Sequence, residues 1–78
     1  MSTYYTETEL GDNALMIAEG KVEDGAVVVD DISILVWLEN IDYDITKALP
    51  KYTIDIYREK AQKVLQANYD YDKSNGLL

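Results

Sequence analysis

The sequence predicts an α+β protein: a small antiparallel β-sheet of three or four strands, packed by one C-terminal amphipathic helix. Three observations indicate this class. Thr and Tyr alternate with acidic residues near the N-terminus, an Asp-Gly pair separates two β-prone segments, and apolar residues recur at helical spacing over residues 51–69. At 78 residues the chain is expected to form a single domain.

The first strand is predicted over residues 3–10, where Thr and Tyr dominate. Strand alternation assigns two faces to it. One face carries Tyr4, Thr6, Thr8 and Leu10, and the other carries Thr3, Tyr5, Glu7 and Glu9. The following Gly11-Asp12-Asn13 has the composition of a turn.

Residues 14–23 allow two interpretations. Asp12 is placed to cap a short helix over residues 13–19, with Gly20 just beyond its end. The competing signal is Asp24-Gly25, because a type I′ hairpin turn needs positive φ at both central residues. We prefer the hairpin, which pairs Val22 with Val27 and Ile17 with Ile32 and makes Gly20 a bulge or a kink.

The run 32–38 is the most apolar of the chain, and Asp30-Asp31 separates it from the β-branched run 26–29. Its β-branched content favours a central strand, apolar on both faces. A helix capped by Asp30 or Asp31 is the alternative, which would make the protein mostly α-helical with a small hairpin. Residues 39–50 are predicted to be a connector.

The helix is the clearest element of the sequence. Residues spaced by three and four are expected on its packed face, namely Ile54, Tyr57, Ala61, Val64, Leu65 and Asn68. Tyr52 and Tyr57 are expected to pack in the core in place of Phe, which the sequence lacks. A frayed tail is expected from about residue 70.

Charge is divided unevenly along the chain. Residues 1–46 carry eleven acids and one base, a formal charge of −10, whereas residues 47–78 carry six bases and four acids, a formal charge of +2. Such a field attracts cationic partners and repels phosphate backbones. We therefore expect binding to a basic protein surface, for example that of a nucleic-acid-binding protein, and no direct binding to nucleic acid.

Candidate partner-binding residues come from the acidic part of the chain. They are Glu7, Glu9, Glu23, Asp24, Asp30, Asp31, Asp42, Tyr43 and Asp44. Tyr43 is included because tyrosine, apolar with a polar tip, is common at interfaces. The alternative is that these acids only keep the protein soluble.

The residue inventory argues against an enzyme. The chain has no His and no Cys, and none of its Ser residues lies in a nucleophile motif. No catalytic residue, cofactor or metal site is therefore predicted. The run from Asp70 to Ser74 resembles the start of a calcium loop but lacks the bidentate Glu that such a loop requires.

The sequence predicts a cytoplasmic protein that does not bind membranes. The N-terminus lacks a basic and an apolar region of the signal-peptide type. The apolar run 32–38 is far shorter than the ~20 residues of a membrane helix. Because a small core without disulfides is marginal, a homo-oligomer is also expected as one way to stabilise it.

Small, acidic, cysteine-free chains such as this one resemble phage-encoded inhibitors as a class. That class includes anti-restriction proteins, anti-CRISPR proteins and inhibitors of uracil-DNA glycosylase. The resemblance lies in size and composition and covers no defined motif. It implies an inhibitor that imitates a nucleic acid and fills the basic groove of its target. The alternative function is a structural or accessory subunit, acting as a small homo-oligomer or as part of a larger assembly.

Overall fold

The sheet and the helix account for most of the chain. The computed structural model describes residues 3–76. The strands are β1 (Thr3–Gly11), β2 (Ala14–Glu23), β3 (Ala26–Leu38) and β4 (Ile41–Asp44), and they are followed by a 3-10 turn (Thr46–Ala48) and helix α1 (Lys51–Ser74). The sheet is an antiparallel meander in the order β1-β2-β3-β4. The predicted α+β class is confirmed, with four strands.

Two tight turns set the register of the central strands. Asp24 and Gly25 have φ values of 53° and 79°, which is the pair of positive angles predicted for the β2–β3 turn. Glu39 and Asn40, at 53° and 66°, make a second turn of the same kind between β3 and β4. The prediction of residues 39–50 as a connector was therefore incomplete, because this segment contains both the second turn and strand β4.

A bulge in β3 corrects part of the predicted pairing. Val22 pairs with Val27 as predicted, but Ile17 pairs with Ser33 rather than with Ile32. The register shifts opposite Glu19 and Gly20, where β3 contains one extra residue, Asp30. One extra residue exchanges the two faces of a strand.

The core lies between α1 and one face of the sheet. Its fully or nearly buried members are Met16, Ala18, Val27, Val29, Ile32, Ile34, Ala61 and Leu65. Because of the bulge, odd-numbered residues of β3 face the helix before Asp30 and even-numbered residues face it afterwards. Without it, Asp31 and Ser33 would point into the core.

Gly20 allows the helix to lie close to the sheet. A Cβ atom at this position would lie 2.7 Å from the Val28 carbonyl oxygen, 2.9 Å from Val27 Cγ1 and 3.2 Å from Leu65 Cδ1. The first of these neighbours is backbone and cannot rotate away. The bulge predicted at Gly20 lies instead across from it, because Gly20 pairs with Val29 and the extra residue is Asp30 of β3.

Helix side chains also cover the outer edge of β3. Strand β4 pairs only with residues 35–38, which leaves the earlier part of this edge without a neighbouring strand. Val27 donates its N–H to Gln66 Oε1 at 2.9 Å and accepts a hydrogen bond from Gln62 at its carbonyl. Arg58 Nη1 donates to the Val29 carbonyl at 3.2 Å. These contacts occupy backbone groups that would otherwise attract another strand.

The helix differs in detail from the prediction. Ala61 and Leu65 are buried and Tyr57 packs against the core, but Asn68 is exposed and Tyr52 is 70% exposed, so these two assignments were wrong. Lys51 is the first helical residue, and Pro50 precedes it as the N-cap. The helix continues to Ser74, past the predicted end at 69, and the last two residues of the expected frayed tail lie outside the described residues.

The last helical turns are held to β1 by aromatic contacts. The Tyr4 hydroxyl donates to Asp72 Oδ2 at 2.9 Å, and the Tyr4 and Tyr69 rings meet edge to face at 5.8 Å. Partial burial and the hydrogen bond to Asp72 raise the pKa of Tyr4. These contacts join the two ends of the described chain.

We predict that Gly20→Ala lowers the free energy of unfolding by about 1–3 kcal/mol, because the added methyl overpacks the junction of helix and sheet. The measurement is urea unfolding followed by circular dichroism. Gly11→Ala is the matched control, since nothing lies within 4 Å of a Cβ atom there. Equal midpoints for the two variants would contradict the close-approach argument.

Deletion of Asp30 is expected to abolish cooperative unfolding. Either Val27 and Val29 or Ile32 and Ile34 would then turn away from α1, and Asp31 and Ser33 would compete for the core. Asp30→Asn keeps the chain length and should fold normally, because the Lys21–Asp30 ion pair is exposed. Amide dispersion in a proton–nitrogen spectrum distinguishes the outcomes, and a well-dispersed deletion variant would refute this account of the bulge.

Candidate protein-interaction face

The face of the sheet opposite α1 is the candidate site, and we call it the open face. The buried core lies wholly on the helix side. Across the described chain, α1 contacts β1, β2 and β3 on that side, and the 3-10 turn lies at the outer edge of β3. Residues that alternate with the core residues along each strand therefore form the open face.

Cross-strand pairs arrange the open face in rows. One row runs from β1 to β4 through Glu9, Leu15, Leu35 and Asp44. The next row contains Glu7, Ile17 and Ser33, and on the other side Trp37 pairs with Asp42. The centre of the face is thus apolar. We call Leu15, Ile17, Leu35 and Trp37 the apolar strip.

The apolar strip is open to solvent. Trp37 is 37% exposed although it is the largest side chain of the sheet, and the three aliphatic members are half-buried by neighbouring strand residues. Asn13 fixes the backbone beneath Trp37, because the Trp37 N–H donates to the Asn13 carbonyl at 2.9 Å. The strip is therefore a partly exposed apolar surface on a hydrogen-bonded sheet.

Carboxylates surround the apolar strip on three sides. We call them the acidic rim, and they are Glu7 and Glu9 on β1, Glu19 on β2, Asp31 on β3, and Asp42 and Asp44 on β4. Glu19 and Asp31 pair with each other across the central strands, which closes one end of the strip. At a strand spacing of about 4.8 Å, the outer strands are about 14 Å apart.

The carboxylates of the acidic rim form no ion pair within 4.0 Å among the described residues. Lys21–Asp30, at 3.8 Å, is the only ion pair among residues 3–76, and neither partner belongs to the rim. Five of the seven basic residues lie on α1, Lys21 lies on β2, and Lys47 lies in the 3-10 turn near Asp44. The protein therefore presents a negative open face and a helix of mixed charge.

Asp44 anchors the rim where β4 ends. Its Oδ1 accepts hydrogen bonds from the Thr46 hydroxyl at 2.6 Å and from the Thr46 N–H at 2.9 Å. The same hydroxyl accepts from the Ile34 N–H at 2.8 Å. The hydrogen bonds from Thr46 hold the pKa of Asp44 below its usual value.

Tyr5 lies on β1 at the closed end of the rim, in the row of Glu19 and Asp31. It pairs with Glu19 and is 55% exposed. Its hydroxyl donates to Glu7 Oε1 at 2.6 Å. This hydrogen bond to a carboxylate raises the pKa of Tyr5.

The structure brings together five of the candidates identified from the sequence. Glu7, Glu9, Asp31, Asp42 and Asp44 all belong to the acidic rim.

The other four candidates lie elsewhere. Glu23 and Asp24 are at the β2–β3 turn, beyond Lys21, and Asp30 is the bulge residue paired with Lys21. Tyr43 pairs with Val36 and so lies on the helix side of β4. Tyr43 therefore does not share a face with Asp42 and Asp44, because neighbouring strand residues point to opposite faces.

Sequence reasoning missed Glu19 and the entire apolar strip. Residues 14–23 were compatible with a helix, so no face was assigned to Leu15, Ile17 or Glu19. Leu35 and Trp37 were assigned to a strand buried on both faces. The alternation of Leu15, Ile17 and Glu19 with Met16 and Ala18 is the signal that marks one face as solvent-facing.

A shallow depression of about 500 Å³ lies at the edge of the face, lined by Asp31, Ile32, Ser33, Asp44, Thr46 and Lys47. Residues 3–76 contain no group of three or more carboxylates close enough to hold a metal ion. Neither the 3-10 turn nor α1 has the length and apolar character needed to cross a bilayer. The chemistry that this face offers is charge and apolar contact.

Comparison with known proteins does not identify a relative. No protein-family model, no curated protein and no solved structure matches the chain.

We predict that Thr46→Ala raises the pKa of Asp44 toward its ordinary value, whereas Thr46→Ser leaves it low because Ser keeps the hydroxyl. Carboxyl carbon chemical shifts followed through a pH titration measure this. Since the folded state favours the carboxylate, the stabilisation is present above the ordinary carboxyl pKa and is lost as pH falls through the lowered value. An unchanged Asp44 pKa in Thr46→Ala would contradict the assigned cause.

Proposed function

We propose that this protein is a non-enzymatic, acidic protein-binding module that inhibits its target by occupying a basic, nucleic-acid-binding surface. The observation that supports the proposal is the acidic rim, in which carboxylates from all four strands share one face with no ion pair among the described residues. Unpaired negative charge on one face attracts a positively charged surface over a distance of about 10 Å at 0.1 M salt. It favours rapid association with a basic target.

The spacing of the rim supports imitation of a nucleic acid. Glu7 and Glu9 on β1, and Asp42 and Asp44 on β4, form two negative rows about 14 Å apart at ordinary strand spacing. The major groove of duplex DNA is about 12 Å wide and is also bordered by two rows of negative charge. A basic helix or strand of a target that lies between the two phosphate rows of DNA would therefore meet a similar arrangement of negative charge on the open face.

A second candidate function is a structural subunit in a small homo-oligomer or a larger assembly. The supporting observation is the exposed apolar end of the β3–β4 hairpin, beyond the area that α1 covers. Leu38 is 54% exposed, Ile41 52% and Tyr43 45%. These residues share the helix side of the sheet, so an assembly through them would leave the open face free.

The test is a tagged pull-down from cell lysate at about 0.05 M and about 0.3 M salt, quantified by mass spectrometry. We expect recovery of a basic nucleic-acid-handling protein that falls as salt rises. Glu9→Lys combined with Asp42→Lys should remove that recovery, because each reverses a charge on one side of the rim. Neither side chain forms a hydrogen bond among the described residues, so the fold should tolerate both changes.

Asp55→Lys combined with Glu59→Lys is the matched control. It changes the net charge equally, but on exposed positions of α1, and should retain the target. A short DNA duplex should compete with the protein for the recovered target. Equal recovery by both double variants, or simultaneous binding of protein and duplex, would contradict the proposal. Recovery of the chain alone as a stable oligomer would favour the structural subunit.

A further inference from the structure

The open face has a feature that charge alone does not explain. Its centre is an apolar strip in which Leu15 and Leu35 are direct cross-strand neighbours and Trp37 follows two residues along β3. A face that only attracted phosphate-binding groups would gain nothing from an exposed tryptophan beside half-buried leucines. Covering the exposed part of such side chains removes apolar surface from water, which favours association. The strip therefore has the chemistry of an anchoring surface.

From this strip we infer that the protein binds an amphipathic α-helix of its partner, with the apolar stripe of that helix on the strip and its Lys and Arg side chains on the acidic rim. The inference rests on the proposed function and names the shape and chemistry of the partner. It commits to one occupant, a basic amphipathic helix.

The dimensions of the face match this occupant. The distance between the outer strands is about 14 Å, and an α-helix with its side chains is about 10–12 Å wide. A helix lying along the strands would contact the strip in the middle and present flanking cations to Glu7 and Glu9 on one side and to Asp42 and Asp44 on the other. The strip extends over about 14 Å, from Trp37 to Ile17, which corresponds to about ten helical residues.

Charge argues against a second copy as the occupant. Face-to-face association of two open faces would bring the two acidic rims together, and the chain already carries a formal net charge of −8. Like charges brought together across an interface disfavour association. In a second copy the outer surface of α1 carries acids as well as bases, with Asp55 and Glu59 near Lys60 and Lys63. It therefore matches the acidic rim less well than a helix whose charged residues are all basic.

The edge of the sheet argues against an added strand at β3. Gln62, Gln66 and Arg58 already bind the outer backbone groups of Val27 and Val29. The apolar strip presents side chains rather than free backbone groups. Side-chain anchors at helical spacing are the means by which a groove recognises an amphipathic helix.

The test uses Trp37, the single Trp of the chain, as the reporter. The probe is a synthetic Trp-free peptide of 18 Leu and Lys residues, designed so that Leu recurs at spacings of three and four. A second peptide of identical composition has its Leu distributed around the helix. We expect the first peptide to shift Trp37 emission to shorter wavelength, to become helical on binding, and to bind about tenfold or more tightly than the second.

Leu35→Thr should weaken binding of the first peptide about tenfold or more, which corresponds to about 1.4 kcal/mol. Thr keeps the β-propensity of the position, and a circular dichroism spectrum checks the fold. Val28→Thr is the matched control, because Val28 lies on the open face in the row of Lys21, outside the strip. It should leave the affinity unchanged.

The remaining outcomes separate this inference from the proposed function. Equal binding of both peptides would overturn helix docking and leave the charge-based function standing. Binding of neither peptide at low salt would overturn both. A shift of Trp37 emission with protein concentration alone, together with a doubled mass by light scattering, would show that a second copy covers the strip and would also overturn the inference.

Discussion

The extra residue in β3, Asp30, allows a single helix to bury apolar side chains from both halves of that strand. Val27 and Val29 lie before Asp30, and Ile32 and Ile34 lie after it, yet all four are buried against α1. A regular strand would turn one of these pairs outward and bring Asp31 or Ser33 into the core. The core, the position of α1 and the composition of the open face all depend on this bulge.

The bulge also decides which residues remain for binding. Once the isoleucines face the helix, Ser33, Leu35 and Trp37 must face solvent, next to Leu15 and Ile17 of β2. The same alternation puts Glu7 and Glu9 of β1, and Asp42 and Asp44 of β4, on that side. An apolar centre with acids at both sides is therefore a direct consequence of how the core is built.

Protection of the sheet edge and the close approach of the helix are linked. Gly20 lets Leu65 lie near β2 and β3, which brings Gln62 and Gln66 within reach of the Val27 backbone. The helix thus blocks one route to strand addition while it buries the core. It leaves the opposite face of the sheet uncovered, and this is the surface on which both proposals rest.

The sequence by itself determined the class of fold, the type I′ turn at Asp24-Gly25, the helix and the uneven charge, because propensity, turn chemistry and composition are local properties. Only the tertiary structure decided which strand residues lie on the helix side of the sheet and which lie on the open face. The bulge at Asp30 changes the register by one residue, so pairing predicted from the turn failed beyond it, at Ile17. The faces of Tyr43 and Glu19 were likewise not predicted from the sequence, since the side to which a strand residue points depends on where the helix packs.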